Sequence, residues 1–475
     1  MSSIQTNGHS VPDTISFPDI EISEALIRRF DRSGPRYTSY PTADRFRSGY
    51  TEQDYLAHLA RRAATDAAPP LSVYVHLPFC ESLCYFCACN KIITQDHSRS
   101  AEYLGYLYRE FELLSPRLGR HRRAVQLHLG GGTPTFLSDA ELAELMVRLR
   151  RHFEFTPDAE LGVEIDPRTV SAQSLAMLAG LGFNRCSFGV QDFDPLVQEA
   201  VHRVQPYEMV RTAIEASRDN GFESINADLI YGLPKQTLES FSRTLDQLIA
   251  LSPDRIALYN YAHLPDRFKA QRLIRAEDLP SAETRLQIFL MSVRRLLEAG
   301  YLYIGLDHFA KPGDELNRAR LDHSLHRNFQ GYTTRAECDL VGFGVSAIGK
   351  VGDAYVQNEH SLNAYCKAVS EGRLPTDRGF DLARDDVIRR EVIMTVMCSM
   401  PLDFSAFEAR HGVPFTEIFG DELARLEPYA EAGLVEVSGA GLRVPPQGRL
   451  FVRALAMVFD RYIGRPTVST YSKLI

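Results

Sequence analysis

The stretch Ser72-Val-Tyr-Val-His-Leu-Pro-Phe-Cys-Glu-Ser-Leu-Cys-Tyr-Phe-Cys-Ala-Cys-Asn90 joins a short β-branched run to a loop holding Cys80, Cys84, Cys87 and Cys89. The CxxxCxxC spacing sets three soft thiolates on one loop, and thiolates select iron–sulfur clusters, zinc or copper. A [4Fe–4S] cube held by three cysteines keeps one iron open to a ligand that is not protein, and an open iron makes a cluster a catalyst. Structural zinc usually pairs two knuckles across a longer insert, whereas these cysteines are packed between 80 and 89 with no second knuckle. A buried structural cluster with Cys89 as fourth ligand is the sharper competitor. One residue between Cys87 and Cys89 leaves little freedom to reach two corners of one cube, so Cys89 is read outside the ligand set.

Outward from this loop, further short apolar runs lie near 125–129, 161–165, 185–189, 224–230 and 255–260, separated by stretches of helical periodicity. With 72–77 they make six βα units. Alternating strands and helices imply a parallel sheet with right-handed crossovers, so the expected fold is α/β, a partial (β/α)6 barrel. Ser138-Asp-Ala-Glu141 reads as a capping box, followed by Leu142, Leu145, Met146 and Leu149 on one helical face. In such a barrel the chemistry belongs to the loops after the strand C-termini, which is where the cysteines stand. A long amphipathic helix is expected over 282–299, with Leu286, Phe289, Leu290, Val293 and Leu297 on its apolar stripe and Gly300 as its cap. The barrel is expected to end soon after it.

The flanks differ in character. Residues 1 to about 20 are polar without periodicity and read as a flexible tail. A short helix is expected at 23–30, and then Gly34-Pro-Arg-Tyr-Thr-Ser-Tyr-Pro-Thr42 reads as an extended arm, Pro41 biasing Tyr40 away from helix. Beyond 380, helical patterns near 384–398, 403–410 and 421–432 precede two short β runs within Val435–Val444. They suggest a small, mainly helical, winged-helix-like domain. The expected division is 1–55 tail and arm over the active site, 56–310 barrel, 311–380 a connecting segment completing the site, and 381–475 the C-terminal domain.

A net charge of −8 argues against a nucleic-acid role, since such proteins carry a basic face. No run of roughly 18 apolar residues occurs, and the start lacks the blocks of a secretory signal. A cytoplasmic protein, expected to be a monomer, follows. Eight cysteines, four of them between 80 and 89, would make a poor disulfide framework for 475 residues. Cys186, Cys338, Cys366 and Cys398 show no metal spacing and read as small buried residues.

The other strand ends carry polar groups. His128-Leu-Gly-Gly-Gly-Thr-Pro-Thr135 follows the second strand, and its glycines allow close backbone approach to a ligand. Val163-Glu-Ile-Asp-Pro167 ends the third, and Glu164 offers a carboxylate that could accept two ribose hydroxyls. Ser187-Phe-Gly-Val-Gln-Asp192 ends the fourth, with Arg203 beyond it and Asp228 near the end of the fifth. Each alone reads equally as a tight turn or a solvated strand end. Together they supply amide, guanidinium and carboxylate groups around one barrel mouth, as a charged nucleoside ligand needs.

The cysteine spacing, with an aromatic before the third cysteine, resembles the radical S-adenosylmethionine (SAM) superfamily. Tyr37-Thr-Ser-Tyr-Pro-Thr42, the cysteine loop, Gly130–Thr135, Asn260-Tyr-Ala-His-Leu-Pro265, Asp307-His-Phe-Ala310 and His326-Arg-Asn-Phe-Gln-Gly-Tyr-Thr-Thr334 together resemble the oxygen-independent coproporphyrinogen III oxidases, over roughly 23–475. The resemblance implies oxidative decarboxylation of two propionates of coproporphyrinogen III to vinyls, by a 5′-deoxyadenosyl radical from SAM cleaved at a [4Fe–4S] cluster. It implies Cys80, Cys84 and Cys87 on the cluster, Tyr74 and Phe86 beside SAM, and Gly131, Glu164 and Ile348 lining the SAM on the cluster. It implies a second SAM at Gly132, Thr133, Gln191, Arg203, Asp228 and Ala262. Ala88 departs from the glycine common there in the family. A methyl transferase or another tetrapyrrole enzyme of the superfamily, and a haem chaperone, are the alternatives; Cys89 and the His326–Thr334 segment favour the oxidase.

A substrate with four carboxylates calls for cations that bind them bidentately, and Arg28, Arg29 and Arg36 near the arm are nominated. Tyr37, Tyr40 and Tyr332 are candidates to pack against the macrocycle or to relay the departing electron. The sequence names neither the electron donor nor the acceptor.

Overall fold

The six expected strands form in the expected places in a computed structural model, which describes residues 14–17, 20–336 and 338–464. They are β1 (Leu71–Leu77), β2 (Arg123–Gly131), β3 (Glu154–Ile165), β4 (Arg185–Gln191), β5 (Ser224–Tyr231) and β6 (Arg255–Asn260). Each pairs in parallel with the next in chain order, and helices occupy every crossover.

The two-residue period of a strand decides what faces inward. On β1, Val73, Val75 and Leu77 are fully buried in the core cluster shared with the helices. The alternate residues Ser72, Tyr74 and His76 belong to the barrel interior, where the Ser72 hydroxyl donates to Gln126 Oε1 and Gln126 Nε2 donates to Glu160 Oε2. The same alternation puts His128 on β2, Glu164 on β3, Ser187 on β4 and Asp228 on β5 around one polar interior. The register aligns them, Glu164 standing opposite Ser187.

The helix after β2 starts as its capping box requires: the Ser138 hydroxyl accepts from Glu141 N–H, and the Glu141 carboxylate accepts from Ser138 N–H. Leu142, Leu145, Met146 and Leu149 are its buried face. The long helix runs Ala282–Glu298, and Gly300 at φ +86° lets the chain turn away.

The sheet continues beyond the six parallel strands at both edges. β7 (Leu302–Gly305) and β8 (His308–Ala310) add antiparallel strands at the β6 edge. At the other edge β9 (Asp339–Phe343) pairs in parallel with β1. β10 (Ile348–Val351), β11 (Ala354–Asn358) and β12 (Thr376–Asp381) then follow antiparallel, reaching the two-residue strand Arg47–Ser48. Much of 311–380, expected as a connection, is thus sheet that covers the open edges of the barrel. These strands are short and glycine-bearing, so they carry little periodicity. Gly342 illustrates why: a Cβ there would lie 2.5 Å from Ile348 O. A separate hairpin, His326–Asn328 with Gly331–Thr333, lies across the interior, Thr334 and Arg335 reaching Glu160 on β3.

The tail also differs from expectation. Thr14–Phe17 pairs antiparallel with Ile20–Ser23, and Ser23 caps the helix Glu24–Phe30; the rest of 1–19 lies outside the described residues. The C-terminal helices are Arg384–Met397, Phe404–His411 and Phe415–Glu431, the last starting earlier than expected because Phe415 is needed to stack on Phe404 at 4.3 Å. Leu402–Asp403 joins Gly441–Arg443 and Glu436–Val437 in the small winged sheet. Among the described residues no helix is long and apolar enough to cross a membrane.

Candidate active site at the barrel mouth

The glycine run holds the cysteine loop. Gly132 N–H donates to Leu77 O at 2.8 Å, Thr133 N–H to Phe79 O at 2.8 Å, and the Thr133 hydroxyl to Cys80 Sγ at 3.4 Å. Gly131 takes φ +115°, and a Cβ on Gly132 would sit 2.7 Å from the Pro78 carbonyl. No larger residue lets these two segments approach so closely.

Cys80, Cys84, Cys87 and Cys89 line a cavity of about 380 Å³. Around the sulfurs stand cations. Arg203 Nη1 donates to Cys84 Sγ at 3.4 Å and Arg168 Nη2 at 3.6 Å, and Lys91 Nζ donates to Cys87 O at 3.0 Å. Asp166 fixes both arginines, accepting from Arg168 at 2.7 Å and Arg203 at 3.1 Å. Burial opposes its charge, but Arg203 and Arg168 hold its carboxyl below the usual range. Burial pushes the Cys80 thiol up to about 11, while a hydrogen bond from Cys89 brings Cys87 down to about 6. Three thiols flanked by fixed cations suit a group that takes them as thiolates. Among the described residues no three Cys, His, Asp or Glu side chains converge as a single ion requires. Three thiols of one loop on one cavity, with arginines donating to Cys84, are a donor set that fits a [4Fe–4S] cluster with one open iron.

The opposite wall carries the carboxylates. Glu164 Oε2 accepts from Gly131 N–H at 3.3 Å and Oε1 from His128 Nε2 at 3.2 Å. Burial is outweighed by His128 and Gly131 N–H, and Glu164 stays below its ordinary range. Asp228 accepts from Ser187 Oγ at 3.0 Å and Asn226 Nδ2 at 2.8 Å, yet burial and the Glu164 charge push it up to about 6.

Of the residues nominated from sequence, Phe86, Gly131, Gly132, Thr133, Glu164, Gln191, Arg203 and Asp228 all border this cavity with the three cysteines. Tyr74 lies in the barrel interior behind them, stacked on His128 at 6.0 Å with its hydroxyl 3.1 Å from His76 Nδ1. Two nominees stand elsewhere. Ala262 borders a separate cavity of about 470 Å³ that it shares with Arg28, and Ile348 packs on Phe46, Tyr355 and Phe380. Arg28 is half-exposed and paired with Glu24 and Glu283, and exposed Arg29 lies over the Phe30 ring. Neither borders the cysteine cavity. Arg36 pairs with Asp307 and lies over Tyr259 at 5.5 Å. Tyr37 and Tyr40 anchor the arm: the Tyr37 hydroxyl donates to Asp460 at 2.9 Å and Tyr40 accepts from Arg461 N–H. Tyr332 is buried and donates to Met397 O. Asp166 and Arg168 went unnominated although Glu164-Ile-Asp166 alternates inward; strand period could have found the acid.

Residues 74–248 match the family profile of the Radical SAM superfamily, and 382–451 match the HemN C-terminal domain. The chain is 50% identical over 452 residues to an oxygen-independent coproporphyrinogen III oxidase of Pseudomonas aeruginosa, covering 95% of this chain and 98% of that one. It belongs to the oxygen-independent coproporphyrinogen III oxidase family. An oxidase of that family from Escherichia coli is 46% identical over 463 residues, covering 97% of this chain and 100% of its own. The solved structure described as coproporphyrinogen III oxidase (HemN) from Escherichia coli, a radical SAM enzyme, superposes with a TM-score of 0.89, covering 94% of this chain and 100% of that chain. As a radical SAM coproporphyrinogen III oxidase family member, the chain uses a [4Fe–4S] cluster and SAM.

Proposed function

We propose that this protein converts coproporphyrinogen III to protoporphyrinogen IX without oxygen, by oxidative decarboxylation of two propionates to vinyls. The observation that carries the reading is the three-cysteine cavity at the barrel mouth, walled by Glu164 and Asp228, in a chain that matches named oxidases almost end to end. When bound, the cluster supplies the electron that splits SAM into methionine and a 5′-deoxyadenosyl radical able to take a hydrogen from an unactivated carbon.

The chain's own residues bind, orient and seal. Cys80, Cys84 and Cys87 would hold the cluster, with Arg168, Arg203 and Thr133 donating to their sulfurs and so tuning it. Glu164, itself aligned by His128 and Gly131 N–H, is assigned to the ribose hydroxyls of the SAM on the cluster. A second SAM is assigned to Gly132, Thr133, Gln191, Arg203 and Asp228, with Ala262 beyond the cavity wall. The arm and the hairpin His326–Thr333 cover the interior against water. After hydrogen removal the propionate carbon loses carbon dioxide and one electron to an acceptor, leaving the vinyl.

The deciding assay is anaerobic turnover of reconstituted protein with reductant, SAM and coproporphyrinogen III, following 5′-deoxyadenosine and tetrapyrroles together. Protoporphyrinogen IX is expected with deoxyadenosine, and Cys84→Ala should abolish both. Deoxyadenosine with a methylated tetrapyrrole, or haem binding without turnover, would replace this reading.

A further inference from the structure

Beside the cysteine cavity, an adjoining cavity of about 180 Å³ shares Glu164 and Asp228 with it and runs on to Tyr259, His308, Gln330 and Tyr332. At that far end hydrogen-bonding atoms are left over. Among the described residues, His308 Nδ1 and Gln330 Nε2 on its lining are buried with no partner, as is Arg327 Nη1 behind Tyr332. Buried polar groups are ordinarily satisfied, so unmade bonds on the cavity wall and on the arginine that backs Tyr332 call for a ligand.

The charge says which kind. Arg327 is 4% exposed, lies 4.9 Å over the Tyr332 ring, and donates only to Arg36 O, at 3.4 Å; among the described residues it has no ion-pair partner. Arg36 lies alongside, over Tyr259 and paired with Asp307. Arg453, also 4% exposed, completes a group whose charges oppose one another: burial, then Arg36 and Arg327, lower its pKa to about 9. His308 is held neutral by burial and by Arg327, Arg36 and Arg255, which leaves its ring free to donate or accept. Arg327, buried and without an ion-pair partner among the described residues, is the positive charge that this corner leaves to a ligand. A planar anion with two acceptor oxygens matches a guanidinium fork.

We propose that Arg327, with His308 and Gln330, forms a carboxylate-binding end of the barrel that receives a propionate of the tetrapyrrole other than the one being oxidised. This rests on the proposed function and goes further by placing one anchor of the substrate. The anchor fixes how far the macrocycle reaches toward the SAM side, and it requires a carboxylate at that position. Arg327 is a positioning residue in this scheme, on the hairpin that the sequence singled out without a role. Arg28 and Arg29 are not part of it.

The test uses reconstituted holoenzyme under anaerobic conditions, with Arg327→Gln and Arg327→Lys beside the wild type. Arg327→Gln is expected to raise KM for coproporphyrinogen III about tenfold or more while KM for SAM stays unchanged, and Arg327→Lys, which keeps charge but loses the fork, should fall between. A second readout is binding of coproporphyrin III against its tetramethyl ester by fluorescence quenching. The wild type should prefer the free acid and Arg327→Gln should lose that preference. An unchanged KM, an unchanged preference, or a parallel rise in KM for SAM overturns the proposal. Should Arg327→Gln fail to fold, His308→Phe, which removes the unpartnered Nδ1 and keeps the ring packing, must raise KM for the tetrapyrrole; no change refutes it. A wild type that never consumes coproporphyrinogen III removes the proposed function and this anchor together, whereas turnover with silent variants removes only the anchor.

Discussion

Alanine at Gly130, Gly131 and Gly132 adds the same methyl group three times in succession, and the structure assigns each a different consequence. A Cβ on Gly132 would lie 2.7 Å from the Pro78 carbonyl carbon and from Phe79 O, both backbone, so nothing soft can yield. The Gly132 N–H to Leu77 O bond must open, and the cysteine loop moves with it. Overpacking of this kind costs about 1–3 kcal/mol. With about 2 cal/mol/K of unfolding entropy per residue, a chain of this length loses only about 1 °C of Tm per kcal/mol, so melting is a blunt probe. Cluster loading is the sharp one. Gly132→Ala should take up about half the wild-type iron or less on reconstitution, because its ligands no longer share one cavity. Gly130→Ala instead meets the Glu164 carboxylate at 3.0 Å, the movable end of a side chain. It should load iron fully and bind SAM more weakly. Gly131→Ala should suffer on both counts, from positive φ and from the His76 ring at 2.8 Å. Full iron in Gly132→Ala, or equal iron loss in Gly130→Ala and Gly132→Ala, would refute the packing argument.

Asp228 gives a pH test: its folded pKa of about 6 stands above the ordinary 3.8, so its contribution is favourable below the unfolded value and is lost as pH rises through 6. Asp228→Asn apoprotein should therefore gain up to about 3 kcal/mol over wild type at pH 7.5, about half of that at pH 5 and little below pH 3.5, and a stability difference that ignores pH contradicts this. Arg203→Lys removes a fork joining Cys84 Sγ, Asp166 and Gly189 O; the cluster should load normally but show a lower reduction potential by redox titration, and an unshifted potential would show that the guanidinium does not tune it. Tyr37→Phe strips Asp460 Oδ2 of its donor and should cost about 1–3 kcal/mol, read as faster proteolysis between residues 31 and 42; unchanged cleavage would mean that the arm is held elsewhere.

The positions of β1 to β6 were legible because strand length, β-branching and intervening helical periodicity repeat along the chain. β9 to β12 were not, since short strands such as Asp339-Leu-Val-Gly-Phe343 carry little pattern and form because β1 offers them an edge. Thr14–Phe17 was missed for the same reason: its pairing partner, not its own composition, makes it a strand. In the site, loop motifs announced Cys80, Cys84, Cys87 and Gly130–Thr135. Asp166 stands in the strand-end motif with nothing to mark its role, and Arg168 follows it in a short turn with no period or motif of its own.

By itself the sequence determined that four cysteines share one loop, that the barrel forms, and which strand ends that loop adjoins, because spacing and period are local and survive in one dimension. Only the tertiary structure decided which charges meet. Arg28, Arg29 and Arg36 were equivalent as letters near an arm, yet two face solvent and one lies over Tyr259. Arg327, unremarkable in His326-Arg-Asn328, becomes a buried cation without a counter-ion among the described residues. A charge acquires meaning from desolvation and from its neighbours, and both are properties of folded space.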